Sequence, residues 1–250
     1  MTNASGTDRH EPAWVTLSSA DPQAAAAFYQ AVLGWEISEA GELYGSVDGW
    51  PVAAIVHATG DAQGWLLHIE VDDIATAVDT VTRAGGNTLV PATAKTDPAV
   101  AVVTDTNGTR FGLHASEAKQ HGRSSTPGAF AWGELITDDI DASAAFYSAA
   151  FGWQLTDPKG PLGRREWRLN GRAVSGLLPR PPAMPAETPT YWDVYFAVPD
   201  IEAAVTTAVE RNATPLLAPI PIEIGTIAVL LDPAGAIFTL IQASSEETHA

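Results

Sequence analysis

The chain has no cysteine among its 250 residues, so it can build no disulfide frame, no thiolate nucleophile and no thiolate metal site. Basic residues are scarce: 13 Lys and Arg stand against 30 Asp and Glu, a formal net charge of −17. Such a chain repels phosphate backbones and anionic lipid, so neither nucleic acid nor membrane is an expected partner, while a cation is electrostatically favoured. No apolar run reaches membrane-spanning length, and the first ten residues are polar, with no apolar leader segment. These features predict a cytoplasmic protein. The chemistry-bearing signatures are missing too. There is no nucleophile elbow, phosphate loop or dinucleotide fingerprint, and His57, His68 and His114 lack the i, i+4 or Glu-x-x-His spacing of a helical metal site.

What is present is a duplication. Trp14 and Trp132, Asp21 and Asp139, Phe28 and Phe146, Gly34 and Gly152, and Trp35 and Trp153 are each 118 residues apart. Further on, Trp65 and Trp192, Val71 and Val198, Asp73 and Asp200, Asp105 and Asp232, Gly108 and Gly235, and Phe111 and Phe238 keep an offset of 127. Constant offsets over so many landmarks define a repeat. The second copy carries nine extra residues between Trp153 and Trp192, where Pro179, Pro181, Pro182, Pro185 and Pro189 predict a surface loop. The repeat places one domain at 11–117, a polar linker at 118–128 and a second domain at 129–245, with disordered tails beyond.

Within each half the pattern is strand, helix, three strands, then the same again. Asp21-Pro22 is a helix start, with Asp as N-cap and Pro at the first helical position, and Gly34 is its stop. Asp48-Gly49 and Asn170-Gly171 are hairpin turns. Helices are expected at about 22–33, 74–84, 140–150 and 201–211, each between strands. The fold class is α+β, built from four βαβββ modules.

Four such modules, the Asp…Phe-Tyr…Gly-Trp signature in both halves and the closing Asp232-Pro233-Ala234-Gly235-Ala236-Ile237-Phe238 resemble the vicinal oxygen chelate superfamily of glyoxalase I, bleomycin-resistance proteins and extradiol dioxygenases. The resemblance covers nearly the whole chain and implies two tandem domains whose curved mixed sheets surround ligand cavities. In metal-dependent members each ligand comes from the first or last strand of a module. The matching positions here are Trp14, Ala53 or Ala54, Leu66 and Gly112, then Trp132, Ser175 or Gly176, Asp193 and Thr239. Only Asp193 is a strong ligand, and a divalent ion needs three or four donors. The resemblance is therefore to the metal-less tandem members of actinobacterial type, and neither metal nor other cofactor is expected.

Strand alternation sends Val15, Leu17, Trp65, Leu67, Ile69, Val71, Phe111 and Leu113 under the helices. The opposite face then carries Trp14, His68, Glu70 and His114 in the first half, and Trp132, Glu134, Asp193 and Tyr195 in the second. Trp50 and Trp167 are expected on the hairpins that roof the cavities. The candidate ligand-binding set is thus Trp14, Trp50, His68, His114, Trp132, Glu134, Trp167, Asp193 and Tyr195, with His68 and Glu134 as candidate catalytic bases. Aromatic rings beside carboxylates suit a bulky aromatic ligand, including a cationic one. The leading expectation is sequestration of an aromatic natural product, such as a polyketide antibiotic, for self-resistance or as a biosynthetic accessory. The alternative is a metal-independent isomerase, cyclase or lyase using acid/base chemistry on a polyketide or small carbonyl compound. The duplication is compatible with a pseudo-dimeric monomer or a homodimer.

Overall fold

Among the described residues each of the four helices begins where an aspartate can cap it. The side chains of Asp21, Asp73, Asp139 and Asp200 accept from the backbone N–H of Ala24, Thr76, Ala142 and Ala203, satisfying an orphan donor of the first turn. The helices are α1 (Pro22–Leu33), α2 (Ile74–Arg83), α3 (Ile140–Phe151) and α4 (Ile201–Glu210). α1 and α3 stop at Gly34 and Gly152, both left-handed at φ 73°. The computed structural model describes residues 10–39, 42–59, 63–92, 99–115 and 125–244. The expected disordered tails and most of the expected linker lie outside the described residues.

In the first half the strands are β1 (Pro12–Ser19), β2 (Glu36–Glu39), β3 (Leu43–Val47), β4 (Trp50–His57), β5 (Gly64–Glu70), β6 (Asn87–Val90), β7 (Ala99–Thr104) and β8 (Arg110–Ala115). They form one sheet in the order β2-β3-β4-β1-β5-β8-β7-β6. In the second half β9 (Phe130–Thr137), β10 (Gln154–Leu155), β11 (Arg165–Leu169), β12 (Arg172–Pro179), β13 (Tyr191–Ala197), β14 (Thr214–Ile222), β15 (Gly225–Leu231) and β16 (Ile237–Ala243) repeat it as β10-β11-β12-β9-β13-β16-β15-β14. The expected α+β architecture of four βαβββ modules is present. β14 is longer than its sequence signal, nine residues with Pro215, Pro219 and Pro221 along an exposed edge. An edge strand tolerates proline because its outward N–H groups need no partner. Among the described residues no helix is long and apolar enough to cross a membrane.

The hairpin turns are as expected, with Asp48 and Gly49 at φ 51° and 77° and Asn170 and Gly171 at φ 51° and 81°. These turns are 122 residues apart, so the nine-residue insertion is two insertions, four residues before β11 and five after β12.

By contact the chain divides into two units, each taking one module from either half. One comprises 1–13, 68–122 and 133–192; the other comprises 14–67, 123–132 and 193–250. The repeat landmarks hold each unit together. In one, Tyr29 Oη donates to Asp232 Oδ2 at 3.1 Å and accepts from Trp65 Nε1 at 2.9 Å. In the other, Tyr147 Oη donates to Asp105 Oδ2 at 3.2 Å and accepts from Trp192 Nε1 at 2.9 Å. Trp35 and Trp153 donate to the carbonyls of Gly128 and His10, each at 2.7 Å. Burial of these hydrogen-bonded rings explains why the same aromatic and acidic types recur in both halves. Desolvation raises the pKa of Asp105 and of Asp232 and holds both tyrosines well above their usual value.

One expected roof residue is instead core. Trp167 is fully buried, its ring 5.8 Å from Trp153 and 5.5 Å from Tyr147. The reason lies in the register. Trp167 pairs with Ser175 beside a bulge at Trp167/Arg168, and its counterpart in the first half is Gly45, beside the bulge at Gly45/Ser46. Trp35 fills the space over Gly45, where an added Cβ would lie 2.2 Å from the ring. In the second half Trp167 and Trp153 share that space. Trp50, by contrast, is on the hairpin as expected and is 51% exposed.

Candidate ligand-binding faces

Strand pairing sets which side chains share a row across each sheet. In the first half one row runs His68, Gly112, Val102, Val90, and the next runs Glu70, His114, Val100. His68 and His114 are each 2% exposed, with ring centroids 6.1 Å apart. Among the described residues neither His68 nitrogen has a hydrogen-bond partner. Burial, reinforced by His114, drives the His68 pKa down to about 3, so its imidazole is neutral near pH 7. The ring lies over Gly112, where a Cβ would stand 2.0 Å from Nδ1. Trp14, also expected on this face, is 6% exposed.

The second half replaces these groups residue for residue. Its rows run Tyr195, Thr239, Val229, Leu217 and then Ala197, Ile241, Ile227, Ile220. Tyr195, Ile227 and Ile241 form one buried apolar cluster against which Trp132 and Ile222 pack. Towards the β14 edge the face opens, with Leu217 36% and Ile220 37% exposed. Ile222 also walls a groove of about 310 Å³ completed by Gly225, Thr226, Gln242, Ala243 and Ser244. Asp193 is buried, and its Oδ2 accepts the Thr239 hydroxyl at 2.7 Å.

Glu134 is 1% exposed, as expected of a residue on the inner face, but its charge is met from within the chain. Arg164 grips it with both arms of the guanidinium, Nε to Oε1 at 2.6 Å and Nη2 to Oε2 at 2.7 Å. Sequence reasoning missed Arg164. It immediately precedes β11 in a segment four residues longer than its first-half counterpart, and that extra length was the available signal.

The positions that the resemblance assigns to metal ligands do not fit a divalent ion. Gly112 has no room for a longer side chain while His68 stands over it. Ser175 is opposite Trp167 in the core, and the Thr239 hydroxyl is bonded to Asp193. Among the described residues no three His, Asp or Glu side chains come together as a metal site would need. The structure thus brings Trp132, Asp193 and Tyr195 onto one face and His68 and His114 onto another, while Trp167 is part of the core.

The chain matches the model of the glyoxalase-like domain over residues 14–114 and 134–241. It is 33% identical to a Mycobacterium tuberculosis protein named "Putative glyoxylase CFP32", over 94% of this chain and 96% of that one. It is 28% identical to the "Anthracycline biosynthesis protein DauV" of a Streptomyces species, covering 92% of each chain. Among solved structures, the Mn(II)-bound glyoxalase of Novosphingobium aromaticivorans is similar at a TM-score of 0.68 and 16% identity, over 94% of this chain and 82% of that one. A 2,2',3-trihydroxybiphenyl 1,2-dioxygenase of Sphingomonas wittichii follows at 0.65 and 15%, over 97% and 95%. Module order, sheet topology and these matches agree, and the chain belongs to the glyoxalase-like family of the vicinal oxygen chelate superfamily, with one such domain in each half.

Proposed function

We propose that this protein binds a flat aromatic small molecule of polyketide type, without a metal, as a resistance or biosynthetic accessory protein. The observation that carries this reading is the apolar face of the second half, where Trp132 and Ile222 pack on Tyr195, Ile227 and Ile241 and the surface opens beyond them. A ligand that buried 150–250 Å² of apolar surface against this face would gain roughly 4–6 kcal/mol gross at about 25 cal/mol/Å², to be set against the association cost. The names of DauV and of the Streptomyces peucetius relative DnrV, 32% identical over 46% of each chain, both place those proteins in anthracycline biosynthesis. Anthracyclines are planar aromatic polyketides of the kind this face would suit.

Geometry favours binding over base catalysis at the two candidate residues. A base whose conjugate acid has a pKa of about 3 gives little driving force for proton abstraction, which disfavours His68. Glu134 would have to leave the Arg164 fork before accepting a proton. The test is a fluorescence titration with a soluble anthraquinone. Trp132→Ala and Tyr195→Ala should each weaken binding at least tenfold in protein whose melting transition is intact. Unchanged affinity in both variants would overturn the reading.

A further inference from the structure

The two copies of the repeat also differ where the end of β1 and the start of β5 meet the loop that precedes β16. In the unit of 14–67, 123–132 and 193–250, a cavity of about 50 Å³ is found there, with Ser18, Ser19, Gln63, Ala234, Gly235 and Ala236 in its wall. By the offsets of 118 and 127 residues, Ser19, Ala25, Gln63, Ala234 and Ala236 answer to Thr137, Ser143, Thr190, Asn107 and Thr109 of the other unit. Those five counterparts are bonded to one another and to the start of α3. Asn107 Nδ2 donates to Ser143 Oγ at 3.1 Å and to the Asp139 carbonyl at 3.4 Å. The Thr137 and Ser143 hydroxyls are 3.2 Å apart, and those of Thr109 and Thr190 are 2.8 Å apart. Where this unit has a carboxamide and two hydroxyls, the other has Ala234, Ala236 and Ala25. The cavity lies where polar side chains have been cut back to Cβ.

Ser19 keeps the local part of the network. Its hydroxyl donates to the Asp21 carbonyl at 3.1 Å and accepts from the Asp21 N–H at 3.2 Å, as Thr137 does with Asp139. The further contact that Thr137 makes to Ser143 has no equivalent, because Ala25 bears no hydroxyl. With its one hydrogen committed, the Ser19 hydroxyl can only accept from an occupant, so the occupant must donate. Among the described residues no charged side chain lines the cavity, and an ion would be buried there unpaired. A water needs about 10–15 Å³ of such space, so the cavity admits a molecule of about three to five non-hydrogen atoms. Ala234 and Gly235 are exposed, which opens the site to solvent.

We infer that this cavity is a binding site for a small neutral molecule bearing a primary carboxamide, whose N–H group takes the part that the Asn107 amide plays in the other unit. The site shares no residue with the aromatic-binding face proposed above and stands independently of that reading.

Titration of the 15N-labelled full chain with acetamide, followed by backbone amide shifts in NMR spectra, tests this. So small a ligand binds weakly, and the titration extends to about 100 mM. The signals of Ser19, Gly64, Gly235 and Ala236 should move along a saturating curve. Acetone, of the same size but without a donor, and acetate, which carries a charge, should each bind at least tenfold more weakly. Ala234→Asn restores the side chain of the other copy and should abolish the saturable shifts; Ala236→Thr reads the same cavity should the first variant fail to fold. Shifts that grow without saturating, equal saturation by acetone or acetate, or saturation that persists in both variants would overturn the assignment and leave the cavity to water.

Discussion

His68 has an environment that its type disfavours, because among the described residues both ring nitrogens are buried without partners. Its folded pKa of about 3 lies below the unfolded imidazole value of about 6.5. As pH falls below about 6.5 the unfolded chain takes up a proton that the folded chain refuses, so stability is lost with acidification, at ~1.4 kcal/mol per pH unit from this group. Urea unfolding at pH 7.5 and pH 5 should therefore show a wild-type loss larger by about 2 kcal/mol than that of His68→Gln. Equal losses would mean the imidazole is solvated. Gly112 is coupled to the same ring. Gly112→Ala puts a methyl group where Nδ1 stands and should cost about 1–3 kcal/mol in urea, as overpacking does. The sequence announces neither effect, since a histidine and a glycine 44 residues apart carry no joint pattern.

At the scale of elements, the buried tyrosine of α1 and that of α3 carry the same hydrogen-bond load. Tyr29→Phe would leave Asp232 and Trp65 short of a partner, and Tyr147→Phe would do the same to Asp105 and Trp192. Each change should cost about 1–3 kcal/mol, measured by denaturant unfolding, and the two costs should be similar because the geometry is. A negligible cost in both would contradict the assigned role. Much of this level is legible in the sequence. Asp21-Pro22, Gly34, Asp48-Gly49 and the alternation of β5 and β8 carry local signals, and every helix follows from an aspartate cap. Trp167 was misplaced for a reason that local pattern cannot reveal. A bulge sets its side of the sheet, and only cross-strand pairing shows that Gly45 is its counterpart. The Tyr-Asp pairs were visible as recurring types, but their partnership spans 203 and 42 residues and needs the fold to appear.

Across the whole molecule, the repeat has kept its skeleton and changed its inner faces. Landmarks that cap helices and fill the core recur in both halves, whereas the face positions have diverged from the imidazoles of His68 and His114 to the phenol of Tyr195 and the sec-butyl group of Ile241. Core and cap positions are fixed by packing and by backbone hydrogen bonds, so they are readable from one sequence; face positions are under neither constraint, so one sequence does not fix their role. The candidate site was legible to the extent that alternation put Trp132, Asp193 and Tyr195 on one face. The packing of His68 over Gly112, and the clamp of Arg164 on Glu134, depend on distances that alternation cannot supply.

On the proposed function an aromatic polyketide is held and not consumed. The most direct measurement incubates the purified protein with a hydroxyanthraquinone glycoside, separates bound from free by ultrafiltration, and identifies by mass what denaturation releases. The compound should be retained by the protein and recovered with its mass and retention time unchanged. A compound that passes through unretained, or that returns with altered mass, would contradict it, and the second result would direct attention to Glu134 and Arg164 as the pair that opens during turnover.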